Sequence, residues 1–197
     1  YIHLPDTALD GNRELFKSFY PQANKQALIL DDRYNGGGFV PDRMIALISR
    51  PLLNYWASRG VTLRTQPAFV NAGPKVCLIN AAAGSGGDAF PYYFRMLKLG
   101  PLIGTRTWGG IIGIDGSPAL ADGGVLTTPA SRFLDVTGKW AIENVGVSPD
   151  IEVVDSPDEI AKGHDPSLEK AIAYLLEELR KRPPVEVKAP PPPPQAN

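Results

Sequence analysis

The sequence predicts an α/β fold built on a parallel sheet, with additional short strands. Two apolar segments of strand length, residues 27–30 and 75–80, each run into a glycine-rich turn. After each turn, apolar residues recur at helical spacing. Strand, glycine turn and helix in series, repeated, is the βαβ pattern of a parallel sheet.

The elements follow in order. The first strand ends at Asp31-Asp32-Arg33-Tyr34-Asn35, before Gly36-Gly37-Gly38. Pro41 suits a first helical turn, and Met44, Ile45, Leu47, Ile48, Leu52 and Trp56 extend one helical stripe. Residues 61–65 read as a short strand. The strand over 75–80 ends in Ala81-Ala82-Ala83-Gly84-Ser85-Gly86-Gly87. A helix over 86–99 should follow, with Phe90, Tyr93, Phe94 and Leu97 on its apolar face. Residues 102–154 are rich in Gly, Thr, Val and Ile. They read as short strands and hairpins, with turn signals at Asp115-Gly116, Asp122-Gly123 and Thr137-Gly138 and a return strand near 151–154.

A last helix should open at Asp165-Pro166, where Asp can cap and Pro can fill the first turn, and run to about Arg180. Leu168, Ile172, Leu175, Leu176 and Leu179 give its apolar face. Arg180, Lys181 and Arg182 offset Glu177 and Glu178 at the negative end of its dipole. Pro183, Pro184 and the run from Pro190 to Pro194 predict an extended polyproline-type tail. The expected division is therefore a domain over 1–181 and a tail over 182–197, the tail being a linker or a docking motif.

Composition narrows the function classes. The chain has 197 residues, 43% hydrophobic and 21% charged, which suits one globular domain. Its apolar runs fall far short of the roughly 20 residues of a membrane span. The formal net charge of −1, without like-charge blocks, argues against a nucleic-acid partner. Cys77 is the single cysteine, so no internal disulfide can form. With His3 and His164 as the only histidines it offers no zinc spacing, and no cofactor is indicated. Cysteine usage does not decide the compartment, with the cytoplasm favoured over the periplasm. Tyr1-Ile2-His3-Leu4-Pro5 reads like the interior of a domain, so a fragment or processed form of a longer polypeptide is expected.

Three places could carry chemistry. Ser85 lies between glycines at a strand-to-helix turn. Glycine permits the sharp turn that exposes a nucleophile, and the helix N-terminus favours developing negative charge. By this motif alone the same residue reads more readily as a plain helix N-cap in a flexible loop, because Gly-Ser-Gly is common. Gly36-Gly37-Gly38 could present amides to an oxyanion, or could be a close-packing hinge. A phosphate role is weak, because neither the Walker pattern nor GxGxxG is present. Glu143 sits among apolar and glycine residues, where a buried carboxylate needs a partner, or it is a surface residue on a turn. His3 alternates away from Ile2 and Leu4, and His164 sits in a turn before a helix. Neither looks placed as the base that a serine nucleophile needs.

Four ordered segments resemble a known family. They are Leu30-Asp31-Asp32-Arg33-Tyr34-Asn35-Gly36-Gly37-Gly38-Phe39, then Gly84-Ser85-Gly86-Gly87-Asp88-Ala89-Phe90, then Gly104-Thr105-Arg106-Thr107-Trp108-Gly109-Gly110, then Glu143-Asn144-Val145-Gly146-Val147-Ser148-Pro149-Asp150. Together they resemble the C-terminal catalytic subdomain of the tricorn proteases and their bacterial homologues, among the tail-specific (C-terminal-processing) serine peptidases. The resemblance covers about residues 1–180.

It implies a crotonase/ClpP-like α/β/α core and hydrolysis of peptides or unfolded polypeptides through a serine acyl-enzyme. It makes Ser85 the nucleophile, the amides of Gly37 and Gly86 the oxyanion hole, and Glu143 the acid that orients the base. It also implies a base histidine in a subdomain upstream of a PDZ module, neither of which is in this chain, and a homo-oligomer. This sequence departs from the pattern at Gly86, where the family often has an acidic residue, and at Ala81-Ala82-Ala83. A non-catalytic crotonase-like module that binds peptides or scaffolds an oligomer is the alternative.

Overall fold

The computed structural model describes residues 1–58, 62–116 and 118–191. Five strands form one all-parallel sheet: β1 (Ile2–His3), β2 (Leu28–Asp31), β5 (Lys75–Ile79), β6 (Leu102–Gly104) and β9 (Ile151–Glu152), in the spatial order β1-β2-β5-β6-β9. Leu30 pairs with Cys77 and Asp31 with Leu78, so β2 and β5 end side by side. Helices α1 (Leu9–Gln22), α2 (Asp42–Ile48), α3 (Gly86–Met96) and α5 (Pro166–Lys181) complete the core, with a short α4 (Pro157–Ala161) between β9 and α5.

Side-chain alternation along the strands creates two core faces. Leu28, Leu30, Cys77, Ile79 and Leu102 pack with Leu15 and Phe19 of α1, Met44 and Ile48 of α2, and Phe90 and Phe94 of α3. Ile29, Val76, Leu78 and Ile103 point the other way, onto Ala171 and Leu175 of α5. Both faces of the sheet are therefore covered, which gives the expected α/β/α layering and explains why β2 and β5 are continuous apolar runs.

The helix expected to run through Leu52 and Trp56 instead stops at Ile48. Pro51 has no N–H and disfavours helical backbone at Arg50, so the chain leaves the helix there. Trp56 ends β3 (Asn54–Trp56), which pairs antiparallel with β4 (Arg64–Gln66). The strand expected over 61–65 is thus shifted to 64–66, and Val61 lies outside the described residues. Asp115-Gly116 is the end of strand β7 (Gly113–Gly116), not a turn, and pairs with β8 (Thr127–Ser131). Asp122-Gly123 and Thr137-Gly138 are turns: Gly123 N donates to Leu120 O at 2.8 Å and Gly138 N to Asp135 O at 3.0 Å.

Helix α1 has no counterpart in the sequence reading. Its apolar stripe is narrow, and Gly11 and Pro21 interrupt the pattern. Asp6 starts it, its Oδ1 accepting from the amides of Ala8 (2.8 Å) and Gly11 (2.7 Å). The final helix opens as expected, with the Asp165 side chain accepting from Leu168 N.

Arg33, just past β2, ties α5 to the sheet. It reaches Asp31 (2.7 Å), Asp155 (3.0 Å) and Asp165 (2.7 Å), and its side chain is only 9% exposed. Asp155 also accepts from Ser167 N, so the guanidinium fixes the entry to α5 from two sides. No described helix is long and apolar enough to cross a membrane. Residues 183–191 form no helix or strand, and 192–197 lie outside the described residues.

Candidate active site

The site forms where β2 and β5 end. Ser85 follows β5 as the N-cap of α3, with φ 56° and ψ −115°. A non-glycine residue in that region carries roughly 1–3 kcal/mol of strain, and the surroundings must hold it there. They do so through the main chain. Ser85 N donates to Gly110 O (3.0 Å) and to Asp88 Oδ2 (2.8 Å).

Asp88 is fully buried in the first turn of α3 and accepts from three donors on two segments. Besides Ser85, its carboxylate receives the Gly109 amide at 2.8 Å and the Thr107 hydroxyl. Thr107 Oγ1 in turn accepts from Val147 N at 2.8 Å. One carboxylate thus holds the Ser85 turn and the 107–110 segment directly, and the 143–147 segment through Thr107. In the sequence Asp88 stands only as a member of the Gly84–Phe90 motif, with no role of its own. Its signal was a carboxylate three residues after a helix-capping Ser.

The glycine loop lies against Ser85. Gly37 has φ +88°, and a Cβ placed there would stand 2.6 Å from Ser85 Cβ and 2.9 Å from Gly86 N. Only glycine permits both that backbone and that approach. The Gly37 N–H donates to Asn35 Oδ1 at 2.8 Å. Among the described residues no acceptor meets the N–H of Gly38 or of Gly86. Gly86 N stands at the positive end of α3, where backbone donors are free by construction.

Residues 5–8 grip the loop from behind. Thr7 N donates to Gly37 O (2.9 Å), Thr7 Oγ1 donates to Phe39 O (2.7 Å), and Gly36 N donates to Pro5 O (3.4 Å). The same Thr7 explains the glycine after Ser85. A Cβ on Gly86 would stand 1.9 Å from Thr7 Oγ1, so no side chain fits there in this chain.

Glu143 is half-buried, and its Oε2 accepts from the amides of Ile111 (2.9 Å) and Ile112 (3.0 Å). Gly110, which accepts from Ser85 N, immediately precedes these donors. Glu143 is therefore one peptide unit removed from the Ser85 turn and not bonded to it. The residues on either side of it, Ile142 (φ 72°) and Asn144 (φ 59°), have left-handed backbone, which turns its carboxylate inward.

Trp108 lies across the turn. Its ring fills the space that side chains at Gly84 and Gly110 would need, with ring atoms 2.6 and 2.5 Å from the Cβ positions, yet the residue is 65% exposed. His3 and His164 are both exposed. His164 Nδ1 lies 3.2 Å from Glu169, and neither histidine bonds to Ser85 or Glu143. Among the described residues no group of three or more His, Cys, Asp or Glu is arranged to hold a metal.

Residues 1–153 match peptidase family S41. The chain is 41% identical over 180 residues to the tricorn protease of Thermoplasma acidophilum, covering 91% of this chain and 17% of that protein. It is 35% identical to tricorn protease homolog 1 of Streptomyces coelicolor, covering 97% of this chain and 18% of that protein. The crystal structure of the tricorn protease superposes with a TM-score of 0.87 at 41% identity, over 91% of this chain and 18% of that one. The chain thus spans less than a fifth of the length of these relatives. By the match over three quarters of its length and by these identities, the chain belongs to peptidase family S41.

Proposed function

We propose that this domain carries the nucleophile of a serine peptidase that hydrolyses peptides or unfolded polypeptides through an acyl-enzyme on Ser85. The observation that carries the reading is the juxtaposition at the ends of β2 and β5: a strained serine at a helix N-terminus, pressed against a glycine loop, with unengaged amides beside it. In this reading Ser85 Oγ attacks the scissile carbonyl, and the carbonyl oxygen takes up negative charge facing the amide of Gly86. The glycine loop supplies the second donor. Gly37 is the expected donor, but its N–H is engaged by Asn35, which leaves the next amide, that of Gly38, as the one available without rearrangement.

Glu143 serves as the acid that orients an imidazole. The two backbone donors on Oε2 hold the carboxylate in one orientation and leave its other oxygen for that ring. The base histidine comes from another part of the full-length protein, upstream of a PDZ module, and the functional unit is a homo-oligomer. A serine hydroxyl without a base is a poor nucleophile, so this chain alone should turn over little. Removing a triad member leaves roughly 10³–10⁴-fold over water from the oxyanion hole and binding.

The test is hydrolysis of an unstructured peptide by this chain, by full-length protein, and by full-length Ser85→Ala and Glu143→Gln. Activity confined to full-length protein, lost in Ser85→Ala and lowered in Glu143→Gln, is expected. Full activity from this chain alone would place the base within it and overturn the assignment of roles.

A further inference from the structure

Asn35 is the last residue before the glycine loop and is completely buried. It reaches both halves of the site. Its main-chain oxygen accepts from the amide of Gly84, the residue before the nucleophile, at 3.0 Å. Its side-chain Oδ1 accepts from Gly37 N at 2.8 Å, and its Nδ2 donates to Asp32 Oδ1 at 2.8 Å. It also fills the space beside the first turn of α3, where a Cβ on Gly87 would stand 2.5 Å from its oxygen and 3.0 Å from its Cβ.

An asparagine amide has a donor end and an acceptor end, and the two could exchange by a flip of the group. Asp32 decides which way it faces. Asp32 is completely buried, and its Oδ1 takes the NH2 group, so Oδ1 of Asn35 must face the glycine loop. A flipped amide would set its NH2 against the Gly37 N–H, donor to donor. Among the described residues Asp32 Oδ2 is buried without a hydrogen-bond partner, so the bond to Asn35 is the one that the buried carboxyl makes. Burial, and next the neighbouring Asp31 and Asp88, push the Asp32 carboxyl well above the usual range, although the Asn35 bond works against this. A neutral carboxyl still offers a carbonyl oxygen to Asn35.

We propose that Asp32 and Asn35 form a positioning pair that sets the oxyanion loop. Asp32 orients the Asn35 amide, Asn35 engages the Gly37 N–H, and the Gly38 N–H, which no acceptor among the described residues meets, is left as the free donor of the loop. The same residue holds the Gly84 peptide, so the donor loop and the nucleophile turn are registered to each other through one side chain. Neither residue touches the substrate; both act through the main chain of the loop. The inference rests on the serine peptidase reading for its effect on rate, but not for its geometry.

Two measurements on full-length protein test it. The first is hydrogen exchange at residue resolution. In Asn35→Ala, exchange at Gly37 should quicken by about 10-fold, the equivalent of one lost hydrogen bond, while Gly84, bound to the Asn35 main chain, keeps its protection. Asp32→Leu should quicken Gly37 in the same direction, whereas Asp32→Asn, which still presents a carbonyl oxygen, should leave it unchanged. The second is peptide hydrolysis. Asn35→Ala and Asp32→Leu should lower kcat by about 10- to 100-fold with KM nearly unchanged, because a displaced donor is missed in the transition state. Asp32→Asn should stay close to wild type.

Unaltered Gly37 exchange in Asn35→Ala or Asp32→Leu would overturn the clamp. Altered exchange with kcat unchanged per folded molecule would overturn its role in positioning. Equal hydrolysis by wild type and Ser85→Ala would instead sink the peptidase reading, and the exchange data would still decide whether the pair sets the loop.

Discussion

The ends of β2 and β5 and the two antiparallel hairpins are built on opposite principles. At the strand ends almost every polar group is buried and spoken for. Asp31, Asp32, Arg33, Asn35, Asp88 and Thr107 are all below 9% exposed. In the hairpins β3–β4 and β7–β8 the apolar side chains face outward: Trp56 is 63% exposed and Ile114 64%. A two-stranded hairpin is marginal by itself. The first region spends its interactions on holding a few backbone groups in place, and the second leaves large apolar surface uncovered. Substitutions should therefore be severe in the first region and nearly silent for folding in the second.

Arg33→Met should have the largest effect. It strands Asp31, Asp155 and Asp165 around a missing cation, and breaking a buried ion pair typically costs about 3–5 kcal/mol. Chemical denaturation at neutral pH measures it. A loss below about 1 kcal/mol would mean that the network is incidental.

Gly86→Ala comes next. The added carbon must displace Thr7, and overpacking of this kind costs about 1–3 kcal/mol. Because Thr7 also holds the main chain of Gly37 and Phe39, any activity should fall further than the melting temperature suggests. Pairing it with Thr7→Ala, which opens the space, should recover part of the stability.

Asp32→Asn sharpens the contrast through pH. The folded-state pKa of Asp32 is raised, chiefly by burial. The folded protein thus binds this proton more tightly than the unfolded chain. Its contribution to stability is fully present below the unfolded carboxyl pKa and declines as pH rises toward the folded value. Asp32→Asn should accordingly gain stability relative to wild type at neutral pH, with the gain shrinking as pH falls toward 4, in parallel denaturation curves. A difference independent of pH would show that Asp32 is not held as the acid.

Trp56→Ala should change stability least, by about 0.5 kcal/mol or less, because the side chain is mostly exposed and lies outside both core clusters. Thermal melting of the variant checks this. A loss of several degrees would mean that the hairpin is part of the folding unit after all.

The same contrast explains what the sequence could reveal. Strands β2 and β5 were legible because both of their faces are covered, which writes them as unbroken apolar runs ending in glycine. The family was legible because four motifs in order say more than any one of them, and the same motifs pick out Ser85, the glycine loop and Glu143 as the candidate set. Helix α1 was not: Leu15 and Phe19 alone make its buried stripe, and Gly11 and Pro21 read as breaks. The overextended second helix shows the reverse error, since a stripe through Leu52 and Trp56 continues only if Pro51 is ignored. Asn35 and Asp88 were named within motifs but given no work. Their roles appear only when Asp32, Gly84, Thr107 and Gly109, scattered along the chain, are brought within hydrogen-bonding distance. Residues that act on backbone groups leave little pattern, because any buried amide can be their partner.

The proposed role of Ser85 is that of an activated nucleophile in the full-length protein. A fluorophosphonate probe tests it most directly, since attack by the serine oxygen forms an O–P bond with loss of fluoride and leaves a stable adduct. In full-length protein the account predicts one adduct per chain, mapped by mass spectrometry to Ser85, and none in Ser85→Ala. An unmodified Ser85 in full-length protein that hydrolyses peptides, or peptide hydrolysis by Ser85→Ala at the wild-type rate, would contradict it.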